Sequence, residues 1–388
     1  MIQAFSAVST QTDSFEAGRQ AAGEAVSKLS AKPDMIWAFG AISYDQQRLL
    51  DGIAAASPGT PIIGCSTDGE ISSSGLTVNS VVALALSSDR VRFRTAYAEH
   101  LSKDSYSAGA ELAEKFQDLG CSYLQIFSDG LSGNADKIIQ GIKAHLGNDI
   151  IIAGGTAGDG GDFQRPFQYT DGRAMTDSLV GVAFAGDFGF GNGVGCGWFP
   201  VGIAKKVTKA IGNVVYELDG QTALQAYEKF LGRHAVRLPA VGVEYPLGLL
   251  GPNGEVGYFL CRATMGVDRE SGSITFAGDV PEGAMVKMTI GNEEDIIQAA
   301  GDAARLAMSR LQAKNPELKP KAIFMYSCMA RKIVLGSRTN EEILAVRQAI
   351  GGDVPVIGFY TYGEYAPAGQ SNCSCFHNET VTMTIIGE

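Results

Sequence analysis

Pro61-Ile-Ile-Gly-Cys-Ser-Thr-Asp-Gly-Glu70 is a short apolar run that ends in Thr-x-Gly-acid, and the chain repeats it twice. Ile150-Ile-Ile-Ala-Gly-Gly-Thr-Ala-Gly-Asp159 and Pro355-Val-Ile-Gly-Phe-Tyr-Thr-Tyr-Gly-Glu364 read onto it without a gap. The flanks repeat as well. A strand-like run precedes each motif (Ile36–Phe39, Leu124–Phe127, Ile323–Tyr326), and a helical pattern separates run from motif. In the third copy that helix opens on a capping box, Thr339-Asn-Glu-Glu342. A loop and a further strand follow each motif (Ser80–Leu86, Leu179–Phe184, Thr380–Ile386), with Asn79, Asp177 and Asn378 just ahead of them. Upstream, Asp13-Ser-Phe-Glu-Ala-Gly18 parallels Asp104-Ser-Tyr-Ser-Ala-Gly109, each opening a helix after a strand. In the third copy Val286–Ile290 supplies the strand and Asn292-Glu-Glu-Asp295 the helix start.

Repetition at this period is the signature of a duplicated structural unit. The fold class is read as α/β: three repeated β-α-β-α-β-β units with mixed sheets, plus a β-rich region inserted before the third. The first domain spans 1–187, as units 1–89 and 90–187. The second spans 188–388, as a β-rich region 188–285 and a third unit 286–388. Turn signals at Asp219-Gly220 and Asn253-Gly254, and a helix over Thr222–Leu231, mark the β-rich region. Its Gly189-Phe-Gly-Asn-Gly-Val-Gly-Cys-Gly197 run is no dinucleotide fingerprint, because Trp198-Phe-Pro200 stands where a helix would have to start.

The net charge of the 388 residues is −11 and no run of Lys or Arg occurs, so nucleic acid and anionic membrane surfaces are poor partners. No apolar run reaches the roughly 18 residues of a membrane span, and the N-terminus lacks the layout of a secretory signal. The expectation is a cytoplasmic protein with no membrane insertion. Seven scattered cysteines in such a chain are expected to be reduced thiols rather than a disulfide framework.

Ligands of α/β sheets bind at the carboxyl ends of strands, where Thr-x-Gly-acid sits three times. Gly69, Gly158 and Gly363 would permit positive φ or close approach, and Glu70, Asp159 and Glu364 could line a shared crevice. Equally, Thr and acid could satisfy backbone donors at a strand-to-loop corner. The third copy differs: Phe359, Tyr360, Tyr362 and Tyr365 surround Thr361 and Glu364 with aromatic surface, as small-molecule sites often are. Ser327-Cys-Met-Ala-Arg331 ends another strand there. Cys328 could be a reactive thiol and Arg331 a clamp for a carboxylate or phosphate; a buried Cys and a helix-flanking Arg are the plain alternative. In Asn372-Cys-Ser-Cys-Phe-His-Asn378, an extended backbone would put Cys373, Cys375 and His377 on one face, where they could ligate zinc, copper or haem iron. The spacing is not a zinc signature, for it lacks a second half-site. Asp159-Gly-Gly-Asp162 lacks the later ligands of a calcium loop.

These motifs together resemble the FIST family. Gly64-Cys-Ser-Thr-Asp-Gly-Glu70 is similar to the signature of its N-terminal domain. Its C-terminal domain is resembled by Phe276-Ala-Gly-Asp-Val-Pro-Glu-Gly283, Ser327–Arg331, Gly336-Ser-Arg-Thr-Asn-Glu-Glu342, Gly358–Glu364 and Phe376-His-Asn-Glu-Thr380. The resemblance implies a sensory, ligand-binding module of bacterial signal transduction, not an enzyme. Some stand-alone members are haem proteins that sense nitric oxide and regulate a histidine kinase or a cyclic-di-GMP enzyme. On that resemblance haem is the expected cofactor, with His377 as axial ligand. Cys373 and Cys375 are not part of the family pattern and stand as further metal candidates on their spacing alone, and Cys328, Arg331, Phe359, Tyr360, Thr361, Tyr362, Glu364 and Asn378 are expected around the ligand. The alternatives are a module for amino acids or another small carboxylate, with Arg331 on the carboxylate and Glu364 on the amine, and a Cys328-dependent enzyme.

Overall fold

A computed structural model describes residues 1–251, 259–368 and 373–388, so the expected turn at Asn253-Gly254 and the start of the segment at Asn372 lie outside the described residues. In the first unit four strands lie side by side in the order Ile2–Ser9, Val81–Ser88, Met35–Ala41, Ile62–Thr67, and only the last pair is parallel. Helices Ser14–Ser27 and Gln46–Ala56 make the crossovers. Asp13 caps the first helix by accepting from Glu16 N–H, and Asp104 and Asn292 cap their counterparts in the same way, as the sequence repeat implies. The second unit repeats the order with Val91–Glu99, Ser178–Gly186, Tyr123–Asp129 and Ile151–Ala157.

The third unit departs from the sequence reading at its first strand. Met285–Gly291, which contains the expected Val286–Ile290, pairs instead with Trp198–Ile211 and Leu247–Leu250 in a separate eight-stranded antiparallel sheet. The outer strand of the third unit is the glycine run, Gly189–Gly195, antiparallel to Val381–Gly387, which pairs on its other side with Pro320–Cys328, itself parallel to Val356–Thr361. Its glycines alternate, so all four face one side of the sheet. Helix Glu293–Lys314 lies directly on that side: a Cβ on Gly191 would come 2.0 Å from the Ala307 carbonyl oxygen, and one on Gly193 1.9 Å from that of Ala303. The run is a bed for an alanine-faced helix. We expect Gly193→Ala to cost about 1–3 kcal/mol, as overpacking does, read as a lowered urea midpoint. An unchanged midpoint would mean that the helix is not seated there. The inserted domain therefore lies between the first strand and the first helix of the third unit. It holds the eight-stranded sheet and helix Ala223–Leu231, capped by Thr222.

Each Thr-x-Gly-acid motif leads into a short hairpin, and none of the three hairpins stays in its own unit. Glu70–Ser72 and Gly75–Thr77 extend the third unit's sheet, with Glu70 opposite Phe359. Gln168–Thr170 and Arg173–Met175 extend the first, with Gln168 opposite Cys65. Glu364–Pro367 and Ser374–His377 extend the second, with Glu364 opposite Gly155. The exchange is cyclic, so the three sheets close around one shared core. At its centre the equivalent residues Phe39, Phe127 and Tyr326 meet with ring centroids 5.3, 5.8 and 6.3 Å apart, and Phe359 joins them at 4.6 Å from Phe39. Beside them Trp37 donates from Nε1 to Gln125 Oε1 at 2.8 Å.

Two local expectations change. Helix Thr339–Ile350 has no capping box: the Thr339 hydroxyl donates to the Gly336 carbonyl at 2.7 Å, and Glu342 turns inward to an arginine. In the second unit the motif is out of register by one residue. Ser66, Thr156 and Tyr360 make the equivalent backbone bonds to the incoming hairpins, so Ala157, not Thr156, matches Thr67 and Thr361. Gln168, not Asp159, then stands where Glu70 and Glu364 stand.

Candidate functional site

Three equivalent polar pairs fasten the hairpins to the last strands. Glu70 accepts from the Ser80 hydroxyl at 2.6 Å, Ser178 donates to Gln168 at 2.7 Å, and Glu364 accepts from the Thr380 hydroxyl at 2.6 Å. The first acid is fully engaged, since its other oxygen accepts from Thr67 at 2.5 Å. Asp159 is engaged too, by the N–H groups of Phe163, Gln164 and Arg165 and by the Tyr362 hydroxyl. In these copies the acids satisfy corners, and the shared crevice of three acids does not form. Of the motif glycines, only Gly69 has positive φ, at 135°.

The first copy leaves both carboxylate oxygens of Asp68 without a hydrogen bond among the described residues, and the third leaves a larger group unpaired. Glu364 Oε1, both amide atoms of Asn378, both carboxylate oxygens of Glu379 and the Tyr227 hydroxyl are buried with no hydrogen-bond partner among the described residues. Asn79, Asp177 and Glu379 occupy one position, one or two residues before the last strand, with φ of 52°, 50° and 62°. Asn and Asp tolerate that left-handed conformation better than Glu does. Asn79 accepts from Ser43 at 3.2 Å, and Asp177 from Ser102 N–H and hydroxyl at 2.7 Å. Glu379 alone is wholly buried and unpaired. Buried polar atoms in native proteins nearly always have partners, so a group of unpaired ones calls for a ligand or ordered water. Burial pushes the carboxyls of Glu364 and Glu379 well above the usual range, and their charges oppose one another. Burial, Cys261 and Glu379 push the Tyr227 hydroxyl on the inserted domain's helix well up, which puts this group where the insertion meets the third unit.

Arg331 does not face this group as a free clamp. Its Nε–H donates to Glu342 Oε1 at 2.6 Å and its Nη2 to the Ile296 carbonyl at 2.8 Å, while Nη1 donates to the Cys196 carbonyl. The other Glu342 oxygen accepts from Ser327 at 3.0 Å and Tyr360 at 2.8 Å. The pair is closed on itself. Cys328 is buried at the end of its strand, and burial, Glu364 and Glu379 push its thiol well up, the reverse of what activates a nucleophile. Phe359 belongs to the central aromatic core, and Thr361 holds the second and third units together through the Thr156 carbonyl at 2.8 Å. Tyr362 stacks on Phe163 with centroids 4.8 Å apart. Of the residues singled out from sequence, Glu364, Asn378 and Cys328 come together at the site. The reading missed Glu379, Tyr227 and Glu342. A glutamate where two repeats carry Asn and Asp was the available signal for the first of them.

Cys373 is exposed, with its sulfur 3.1 Å from Lys143 Nζ, and the Cys375 thiol points to the Cys373 carbonyl at 3.7 Å. His377 is buried, with Nε2 3.1 Å from the Ala366 carbonyl oxygen, and burial lowers its pKa to about 4. Tyr365 and Phe376 beside it are packed into the second unit's core. An axial bond from Nε2 would have to displace the Ala366 contact, and the ring is buried beside packed aromatic side chains, so the described residues as placed do not fit a haem. Among them no three His, Cys, Asp or Glu side chains are placed to hold a metal ion, and no helix is long and apolar enough to cross a membrane.

The family model of the FIST N domain matches residues 34–221 and that of the FIST C domain residues 223–367. An uncharacterized protein of Methanocaldococcus jannaschii, MJ1623, is 26% identical over 322 residues, which are 76% of this chain and 59% of that protein. The chain thus matches less than two thirds of that relative's length. The crystal structure of cyanuric acid hydrolase from A. caulinodans aligns over 99% of both chains at 8% identity with a TM-score of 0.37.

Proposed function

The chain belongs to the FIST family, whose domains are sensors of signal transduction, and on that premise we propose that it senses a small organic cation. The observation that carries this is Glu379, a buried carboxylate with neither oxygen paired, set near the half-paired Glu364. Two desolvated carboxylates favour a ligand that brings positive charge and N–H donors, such as an ammonium or guanidinium group. The Asn378 amide and the Tyr227 hydroxyl complement the ligand's remaining polar atoms. A ligand carboxylate finds no cation here, because Arg331 is spent on Glu342 and backbone carbonyls. The amine half of the amino-acid expectation is retained and its carboxylate clamp is given up.

Tyr227 belongs to the inserted domain and Glu364 and Glu379 to the third unit, so a ligand between them shifts the balance between two placements of the insertion. That change is the signal we assign to a partner, a histidine kinase or a cyclic-di-GMP enzyme. Thiol catalysis at Cys328 has no support, given its burial and its two acidic neighbours.

The test is thermal unfolding in the presence of a panel of primary amines and guanidines, with carboxylates of matched size. We expect a cation to raise Tm in proportion to the logarithm of its concentration above Kd, as mass action requires, and carboxylates to do nothing. A panel in which only carboxylates stabilise would sink the assignment. So would a sharp, saturable Soret band on haemin titration that is lost in His377→Ala.

A further inference from the structure

Cys196 and Cys261 are 65 residues apart in sequence, yet their sulfurs lie 3.5 Å from each other with no bond between them. Cys196 stands in the crossing from the third unit's glycine strand to the first strand of the insertion, and it is half-buried. Cys261 is buried on Phe259–Arg262, the edge strand of the eight-stranded sheet. Trp198, Ile296 and Leu335 pack around the pair and hold it in place. We propose that the two cysteines are a redox-active pair that a hydroperoxide converts to a disulfide, pinning the insertion to the third unit.

The chemistry balances with one peroxide. The Cys196 thiol, having lost its proton, attacks one peroxide oxygen. The O–O bond breaks, the departing hydroxide takes up the proton as water, and Cys196 becomes a sulfenic acid. The Cys261 sulfur then attacks the Cys196 sulfur and the S–O bond breaks. The hydroxyl leaves as a second water with the Cys261 proton. Two thiols and one hydrogen peroxide give one disulfide and two waters; the sulfurs lose two electrons and the peroxide gains them. Closing the sulfurs from 3.5 Å to a bond of ~2.05 Å moves each by under ~1 Å.

The surroundings assign the two roles. Cys261 and the charge of Arg331 favour the Cys196 thiolate, while burial, Glu379 and Cys196 itself push the Cys261 thiol up. The less buried cysteine is thus also the more acidic one, as an attacking thiol should be, and the buried Cys261 is left to resolve. This site needs no assumption about the cation pocket, although Glu379 borders both.

The experiment treats the full-length protein with hydrogen peroxide, blocks remaining thiols under denaturing conditions and maps peptides by mass spectrometry. The expected result is one cross-linked peptide pair joining Cys196 to Cys261, lighter by two hydrogens, and restored to thiols by a dithiol reductant. Cys196→Ser should abolish the cross-link and leave Cys261 fully alkylated. Cys261→Ser should let Cys196 accumulate as sulfenic acid, trapped by a dimedone reagent. The proposal is overturned if both thiols stay free at a peroxide dose that oxidises the exposed Cys373. It is equally overturned if Cys196 runs on to the sulfinic or sulfonic acid in the native sequence without forming the cross-link.

Discussion

Arg331→Ala is expected to destabilise the protein by about 3–5 kcal/mol, the cost of removing one partner from a buried ion pair. Arg331 and Glu342 are both 0% exposed, so the orphaned carboxylate has no water to turn to. The arginine also joins three segments that are remote in sequence: the Cys196 crossing, helix Glu293–Lys314 through Ile296, and the loop at Glu379. Alanine leaves those carbonyls short of a donor as well. Glu342→Ala is expected to be of similar severity, and the double variant should lose much less than the sum, since neither member is then left charged and alone. Urea unfolding followed by fluorescence measures all three. A loss below about 1 kcal/mol for Arg331→Ala would mean that its guanidinium is open to solvent or ligand, and the anion-clamp role would return.

The second large effect is a dependence of stability on pH that runs opposite to ordinary acid denaturation. Burial raises the carboxyls of Glu364 and Glu379 well above their ordinary value, and it raises Asp68 and Glu70 to about 7. Between the unfolded and folded pKa values of such a group, the native state holds more protons than the unfolded state. Stability therefore falls as pH rises through that window. His377, lowered to about 4, acts in the opposite sense up to its unfolded value of about 6.5, so without ligand the decline in Tm should be steepest from about pH 6.5 to above pH 7, where Asp68 and Glu70 complete their share. Glu379→Gln removes one of the four groups, so the variant should melt higher than the parent at pH 8 and match it more closely at pH 5. Glu364, Cys328, Cys196, Cys261 and Tyr227 still surround the position, and Arg331 is the cation that acts on it. The same variant should lose stabilisation by amines. If Glu379→Gln melts lower than the parent at pH 8, the carboxylate is already paired and the pocket lies elsewhere.

The repeat was legible because strand, motif and helix each leave a periodic trace, and three copies corroborate one another. Asp13, Asp104 and Asn292 cap the helices that they were read to cap. The exchange of hairpins left no such trace. Glu70 and Glu364 look alike whether their hairpins fold back or cross over, since local sequence fixes the turn and not the sheet that receives it. The glycine strand was misplaced for a related reason. Its partner is a helix about 100 residues away, and only the backbone contact at Gly191 and Gly193 shows why side chains are absent. At the site, Glu364, Asn378 and Cys328 could be named because they sit in motifs at strand ends. Arg331 could not be judged, because its function turns on whether Glu342 points out as a cap or inward as a counter-ion. Propensity favours the cap, and the buried guanidinium overrides it.

The cyclic hand-off of hairpins also fixes what one unit could be by itself. A single unit carries a vacant edge beside its Thr-x-Gly strand and a projecting arm that its own sheet cannot receive. Each joint is heterologous, arm to edge, and three such joints turned about a common axis leave nothing open. Two units leave one arm and one edge unsatisfied, and exposed edges recruit further chains. The architecture is therefore that of a ring of three protomers with exchanged arms, written into one polypeptide. Once the ring is a single chain its positions can diverge. That freedom lets one copy of the loop before the last strand keep a buried, unpaired glutamate while the other two keep their Asn and Asp.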